Sequence, residues 1–100
     1  MKVAVSVNED EIVAPHFGKS KVIYIFDVMD NKINFVEARV ASTNLQKHDF
    51  GFIADCEAVI SGSIGLSMQD NLRKAGMMPI VSNEEDPVKA IEVFIREKSQ

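Results

Sequence analysis

The sequence predicts one α/β domain over residues 1–100, built on a mixed five-stranded sheet of order 3-2-1-4-5 with only the second strand antiparallel, and three helices in the order βββαβαβα. Three observations predict it. Segments of period two, rich in β-branched residues, fill much of the first forty residues, and two of them flank the turn-forming pair Asp30-Asn31. A wholly apolar run, Ala58-Val59-Ile60, is of the kind covered on both faces in a parallel sheet. Apolar residues at helical spacing then recur twice, separated by a short strand-like run. At 100 residues the chain is one domain that can bury a core without disulfides or structural metal.

In Lys2 to Val7, Val3, Val5 and Val7 share one face and the small Ala4 and Ser6 the other, which makes a strand inside a sheet. Asn8 to Gly18 is a long loop of turn formers and charges that closes on Ala14-Pro15-His16-Phe17-Gly18. Lys21 to Val28 is the second strand, and Met29-Asp30-Asn31-Lys32 turns it back into Ile33 to Val40. In that third strand Val36, Ala38 and Val40 face one way and Glu37 and Arg39 the other, as expected near a sheet edge with one solvated side. After Ala41-Ser42-Thr43-Asn44, the residues Phe50, Phe52, Ile53 and Ala54 can form the buried face of a short helix ahead of the fourth strand.

Gly62-Ser63-Ile64-Gly65 turns into a helix carrying Met68, Leu72 and Ala75, which Gly76 stops in a left-handed conformation. Met78 to Val81 is the last strand, and Pro79 within it predicts an edge position. Asp86 as N-cap and Pro87 at the first helical position open a final helix with the stripe Val88, Ile91, Phe94 and Ile95.

Composition narrows the function. With 46% hydrophobic and 26% charged residues the chain is of ordinary globular type. Its net charge of -4 and scattered basic residues argue against nucleic acid as a partner, since that affinity comes from clustered Lys and Arg. The longest apolar run, Val22 to Phe26, is far short of the roughly 18 residues of a membrane span, and no signal peptide or anchor is expected. A lone cysteine, Cys56, forms no internal disulfide, so a cytoplasmic location is expected.

In the expected sheet, four loops share the rim at the carboxyl ends of the parallel strands, where open α/β sheets bind ligands: Asn8 to Gly18, Ala41 to His48, Gly62 to Gly65 and Ser82 to Pro87. Both histidines, His16 and His48, are expected there, and imidazoles suit Fe, Zn, Ni or Cu as single ligands without the spacing of a closed zinc site, although spacing alone favours a plainer role for each. The plainer alternatives are a loop histidine packed on Phe17 and a solvated histidine near a helix start. Gly62, Ser63 and Gly65 could present free amides to an anion, a weak signal shared by many α/β turns. Cys56 starts the fourth strand, about 15 Å from the rim at 3.3 Å per residue, and reads as a small buried residue.

Enzyme motifs are missing: no P-loop, G-x-G-x-x-G, G-x-S-x-G or His-Glu-x-x-His. The strand order resembles ribonuclease H, but metal-dependent phosphodiester hydrolysis needs carboxylates on the central strands, and Val3-Ala4-Val5-Ser6-Val7 has none. Asp27, Asp55 and Asp70 read as solvated or capping residues.

The opening Met1-Lys2-Val3-Ala4-Val5-Ser6-Val7, the loop Ala14-Pro15-His16-Phe17-Gly18-Lys19-Ser20, and Ala58-Val59-Ile60-Ser61-Gly62-Ser63-Ile64-Gly65 resemble the dinitrogenase iron-molybdenum cofactor biosynthesis family, as does the spacing to Asp86-Pro87-Val88-Lys89-Ala90-Ile91. The Pro-His-Phe-Gly element is the most specific part, and the resemblance covers nearly the whole chain. It implies a ribonuclease H-like fold without nuclease chemistry, and a non-catalytic protein that binds or carries the iron-molybdenum cofactor or its iron-sulfur precursor transiently. It also implies cofactor-assembly or acceptor proteins as partners. Carried over by position, His16 leads the contacts, with Phe17 and Gly18 beside it. The sequence departs from the family after the third strand, where Leu45-Gln46-Lys47-His48-Asp49-Phe50-Gly51 keeps a histidine and a glycine but not the glycine-rich run.

Two other readings compete. One is a metal-free interaction or regulatory module that uses the same rim, with Phe17 and Phe50 as apolar anchors. The other is small-anion binding at Gly62 to Gly65.

Overall fold

The computed structural model describes residues 1–98, so the last two positions of the expected domain lie outside the described residues. Five strands are formed, β1 (Lys2–Val7), β2 (Val22–Met29), β3 (Lys32–Val40), β4 (Ala58–Ser61) and β5 (Met78–Val81), with α1 (Leu66–Lys74) and α2 (Pro87–Lys98). They make one sheet of order β3-β2-β1-β4-β5. β2 is antiparallel to both β1 and β3, whereas β1, β4 and β5 run parallel. This is the predicted order, with β2 alone reversed and the Pro79 strand at an edge.

The alternation of β1 builds two cores. Val3, Val5 and Val7 meet Ala58, Ile60, Ile91 and Phe94 beneath α2, while Ala4 joins Ile23, Ile25, Val59 and Leu72 beneath α1. Local chemistry closes the turns between them. Asp30 and Asn31 take φ of +52° and +65°, as a two-residue hairpin turn of right-handed twist requires. Gly76 stops α1 at φ +88°. The Asp86 carboxylate accepts the Val88 N–H at 2.8 Å, capping α2 as expected.

Two expectations need correction. There are two α-helices, not three, among the described residues. The segment expected as the first helix is a single 3-10 turn, Gly51–Ile53, in which Phe50 and Ile53 are buried but Ala54 is exposed. The Cys56 N–H already returns to the Ile53 carbonyl and the Glu57 N–H to Lys2, so the chain enters the sheet before a helix could repay its nucleation cost. In β3, the register slips opposite Ile25 and Phe26 so that Val36 is an extra residue. Val36 and Val40 are 45% and 70% exposed, so the expected buried face is not covered. Ile33 and Ile95 both pack against the core beneath α2, and most of the rest of β3 is exposed.

On the other face of β3, Arg39 grips Asp55 with two nitrogens at 2.6 and 2.9 Å and bonds Glu37 at 2.6 Å and the Phe52 carbonyl at 2.9 Å. Asp55, expected as solvated or capping, is thus an anchor for the segment before β4, and Lys2 reaches it at 3.1 Å. The guanidinium of Arg39, with Lys2 behind it, holds the Asp55 carboxyl below the usual carboxylate range.

Candidate functional site

The loop after β1 does not stand away from the sheet. Val13 pairs with Val7 in an antiparallel bridge and donates its N–H to the Glu85 carbonyl at 2.8 Å. The Ala14 N–H donates to Ser6, the Gly62 N–H to Ala14 (both 2.8 Å) and the Phe17 N–H to Ser63 at 3.0 Å. The segment from Val13 to Phe17 therefore lies across the carboxyl ends of β1 and β4 and ties three of the four predicted rim loops together. Small residues make the crossing possible: a Cβ on Gly62 would stand 2.9 Å from both the Ala14 carbonyl oxygen and Pro15 Cα. Buried hydroxyls satisfy what the crossing covers, Ser61 donating to Ala14 at 3.1 Å and Ser6 to Ile60 at 3.4 Å.

The Pro15-His16-Phe17-Gly18 element sits at the end of this crossing. Phe17 is 1% exposed and plugs the core beneath α1, so its ring anchors the loop and is not free to touch a ligand as expected. Gly18 packs beside Met68, and the Ser20 hydroxyl donates to the His16 carbonyl at 3.2 Å. With its neighbours fixed, His16 is left exposed. Its Nδ1 lies 2.8 Å from the Ser63 hydroxyl oxygen, and that hydroxyl donates to the Pro15 carbonyl at 2.7 Å. A cleft of about 510 Å³ opens at this point, lined by His16, Pro15, Lys19, Lys21, Glu9 and Asp10 among others. That volume is in the range of small-ligand sites.

The outer wall is held by Asn8, whose side-chain oxygen accepts the N–H groups of Asp10 (2.9 Å) and Ile12 (3.3 Å). Glu11 at φ +62° reaches the Tyr24 hydroxyl at 2.6 Å, and this bond to a carboxylate raises the Tyr24 pKa. The sequence reading missed Lys19, Lys21 and this wall. The usable signal was the pair of lysines directly following the histidine motif, which puts two cations where the loop re-enters β2.

His48 is elsewhere, and the expected two-histidine pocket is corrected. The Ala41 N–H still meets the Lys21 carbonyl near the rim at 2.8 Å, but Leu45 is buried in the core beneath α1 and the chain runs on along that face. His48, at φ +56°, stacks on Phe50 with ring centroids 6.2 Å apart, and its Nδ1 lies 2.6 Å from the Asn71 amide nitrogen of α1. It lines a separate hollow of about 420 Å³ with Asn71, Lys74 and Met77, and the two clefts share no lining residue. Phe50 is 6% exposed, so neither aromatic proposed as a docking anchor is free.

Gly65 caps α1 with open space where a side chain would be, and the Gln69 N–H returns to its carbonyl at 2.9 Å. Cys56 is buried in the core beneath α1, and that burial pushes its thiol up to about 11. It lines neither cleft. Among the described residues no three His, Cys, Asp or Glu side chains come together in a way that could hold a metal ion, and no helix is long and apolar enough to cross a membrane.

A family model described as dinitrogenase iron-molybdenum cofactor matches residues 1–97. A curated relative, Protein NifX of Rhodobacter capsulatus, is 27% identical over 103 residues, covering 91% of this chain and 65% of that protein, so the chain spans somewhat less than two thirds of the relative's length. Among solved structures, PH0822 is similar at a TM-score of 0.81 with 22% identity over 97% of this chain and 92% of that one. The apo form of the orange protein from Desulfovibrio gigas is similar at 0.73 with 17% identity over 97% and 88%. At these identities the structural likenesses carry the fold.

Proposed function

The chain belongs to the dinitrogenase iron-molybdenum cofactor family, and on that premise we propose that it is a non-catalytic carrier that binds an iron-molybdenum or iron-sulfur cluster, or its precursor, at the His16 cleft. The observation that carries this reading is an exposed imidazole on a loop whose backbone is pinned at Ala14, Phe17 and Ser20, on a cleft lined also by Lys19, Lys21, Glu9 and Asp10. Imidazole is a suitable ligand for iron. A single imidazole leaves most of the cluster's coordination to other groups. That suits a cargo handed between proteins, so cofactor-assembly or acceptor proteins are the partners we propose, in the cytoplasm and without nucleic acid.

Gly62, Ser63 and Gly18 support the loop in this reading, and Phe17 acts from the core. We read the fold as ribonuclease H-like in strand order, and a β1 without carboxylates fits a protein that does not hydrolyse phosphodiesters. Anaerobic titration with a [4Fe–4S] cluster and with the iron-molybdenum cofactor tests the proposal. The parent protein should bind, His16→Ala should lose about tenfold or more in affinity, and His48→Ala should bind like the parent. Binding that survives His16→Ala unchanged would place the site elsewhere.

A further inference from the structure

We propose that Ser63 is a positioning residue that fixes His16 in the tautomer protonated on Nδ1, so that Nε2 faces the cleft with its lone pair open to a metal centre. The proton count around Ser63 leads there. A serine hydroxyl has one hydrogen, and the Ser63 hydrogen goes to the Pro15 carbonyl at 2.7 Å, an acceptor that can offer nothing back. The Ser63 oxygen then has only lone pairs to offer the His16 Nδ1 at 2.8 Å, so Nδ1 must supply the N–H. A neutral imidazole protonated on Nδ1 is unprotonated on Nε2, the atom left for a ligand. Histidines that bind metal through one ring nitrogen commonly donate the other N–H to a fixed acceptor, and here the Ser63 oxygen, held by the Pro15 carbonyl, is that acceptor.

His48 is set the opposite way. The Asn71 amide nitrogen can only donate, so the His48 Nδ1 at 2.6 Å accepts and the proton sits on Nε2. The two histidines of the chain are thus held in opposite tautomers, one presenting a lone pair and the other an N–H. Pro15 sets the first: its carbonyl is held in place by the same crossing that brings Ala14 onto Gly62, and Ser63 is the residue after that glycine.

The inference rests on the carrier reading for its ligand but not for its geometry, so the experiment separates them. Long-range proton–nitrogen correlation spectra of 15N-labelled protein, taken well above the ordinary histidine pKa of about 6.5, report which ring nitrogen carries the proton. The parent should show His16 protonated on Nδ1 and His48 on Nε2. Ser63→Ala should shift His16 toward the Nε2-protonated form and weaken [4Fe–4S] binding about ten- to hundredfold, while Ser63→Thr, which keeps the hydroxyl, should restore both. A parent His16 protonated on Nε2, or a tautomer unmoved in Ser63→Ala, overturns the inference whatever the cluster does. The expected tautomers without cluster binding in the parent support the inference and remove the carrier reading instead. Unchanged His48 signals in Ser63→Ala show that the variant is folded and that the effect is local.

Discussion

Replacing Gly62 by alanine tests the crossing on which the whole site stands. The new Cβ would lie 2.9 Å from the Ala14 carbonyl oxygen, 2.9 Å from Pro15 Cα and 3.1 Å from the Pro15 carbonyl oxygen. All three are backbone atoms, so no side chain can swing away and the loop itself must lift. Overpacking of this kind costs about 1–3 kcal/mol. Lifting the loop also strains the Gly62 N–H to Ala14 and Phe17 N–H to Ser63 bonds and the Ser61 hydroxyl to Ala14 bond. Each is worth a net of about 0.5–1.5 kcal/mol, and partial loss brings the expected total to about 2–4 kcal/mol. For a domain of this size that is a fall in Tm of about 10–25 °C by calorimetry. Gly65→Ala is the matched control, because nothing lies within 4 Å of its Cβ; exchanging glycine for alanine at this N-cap costs up to about 1 kcal/mol, so it should melt within about 5 °C of the parent. Should the two alanine variants melt together near the parent, the close passage of Ala14-Pro15 over Gly62 does not exist in solution.

Three further outcomes follow from the same structure. Asp55→Asn removes the carboxylate gripped by Arg39 and Lys2; the pair is substantially exposed, so screening limits the loss to about 1 kcal/mol at neutral pH. Because the folded-state pKa of Asp55 is depressed, its contribution is present above the ordinary value of about 4 and is lost as pH falls toward the folded value. Urea midpoints of parent and variant should therefore converge between neutral and acidic pH, and a gap that stays constant refutes the pairing. Cys56, with its thiol pushed up to about 11 and its side chain buried, should be alkylated by iodoacetamide at mildly alkaline pH at least roughly a hundredfold more slowly in the native protein than in guanidinium. Rapid native labelling would mean that the start of β4 is open. Asp86→Ala removes the cap on the Val88 N–H and should cost about 1 kcal/mol, read as a Tm lower by several degrees; an unchanged Tm would mean that α2 does not begin there.

Much of the fold was legible because its signals are local. The alternation Val3-Ala4-Val5-Ser6-Val7, the Asp30-Asn31 turn, the Gly76 stop and the Asp86-Pro87 start each depend on a few neighbouring residues, and all formed as read. What failed depends on tertiary reach. The pattern Val36, Ala38, Val40 is a good buried strand face in isolation, but whether a helix covers it depends on how far α2 extends, which the sequence of β3 does not encode. Likewise Phe50-Phe52-Ile53 satisfies a helical pattern, yet the length of chain left before β4 allows one tight turn.

The misplacement of His48 has a different origin, since the topology already contained the correction. β3 and β4 run in the same direction, so β3 ends at the rim and β4 begins at the opposite end of the sheet. The connection between them must descend the full length of the sheet, and a residue near its middle cannot remain at the rim. Leu45 marks that descent by entering the core beneath α1, and His48 follows it to Asn71. The loop bearing His16 obeys the opposite constraint. It joins β1 to its antiparallel neighbour β2, so it leaves and re-enters the sheet at the same rim and must stay there. Strand direction alone thus assigns one histidine to the rim and sends the other down the flank, which is why the site proposed here holds a single imidazole.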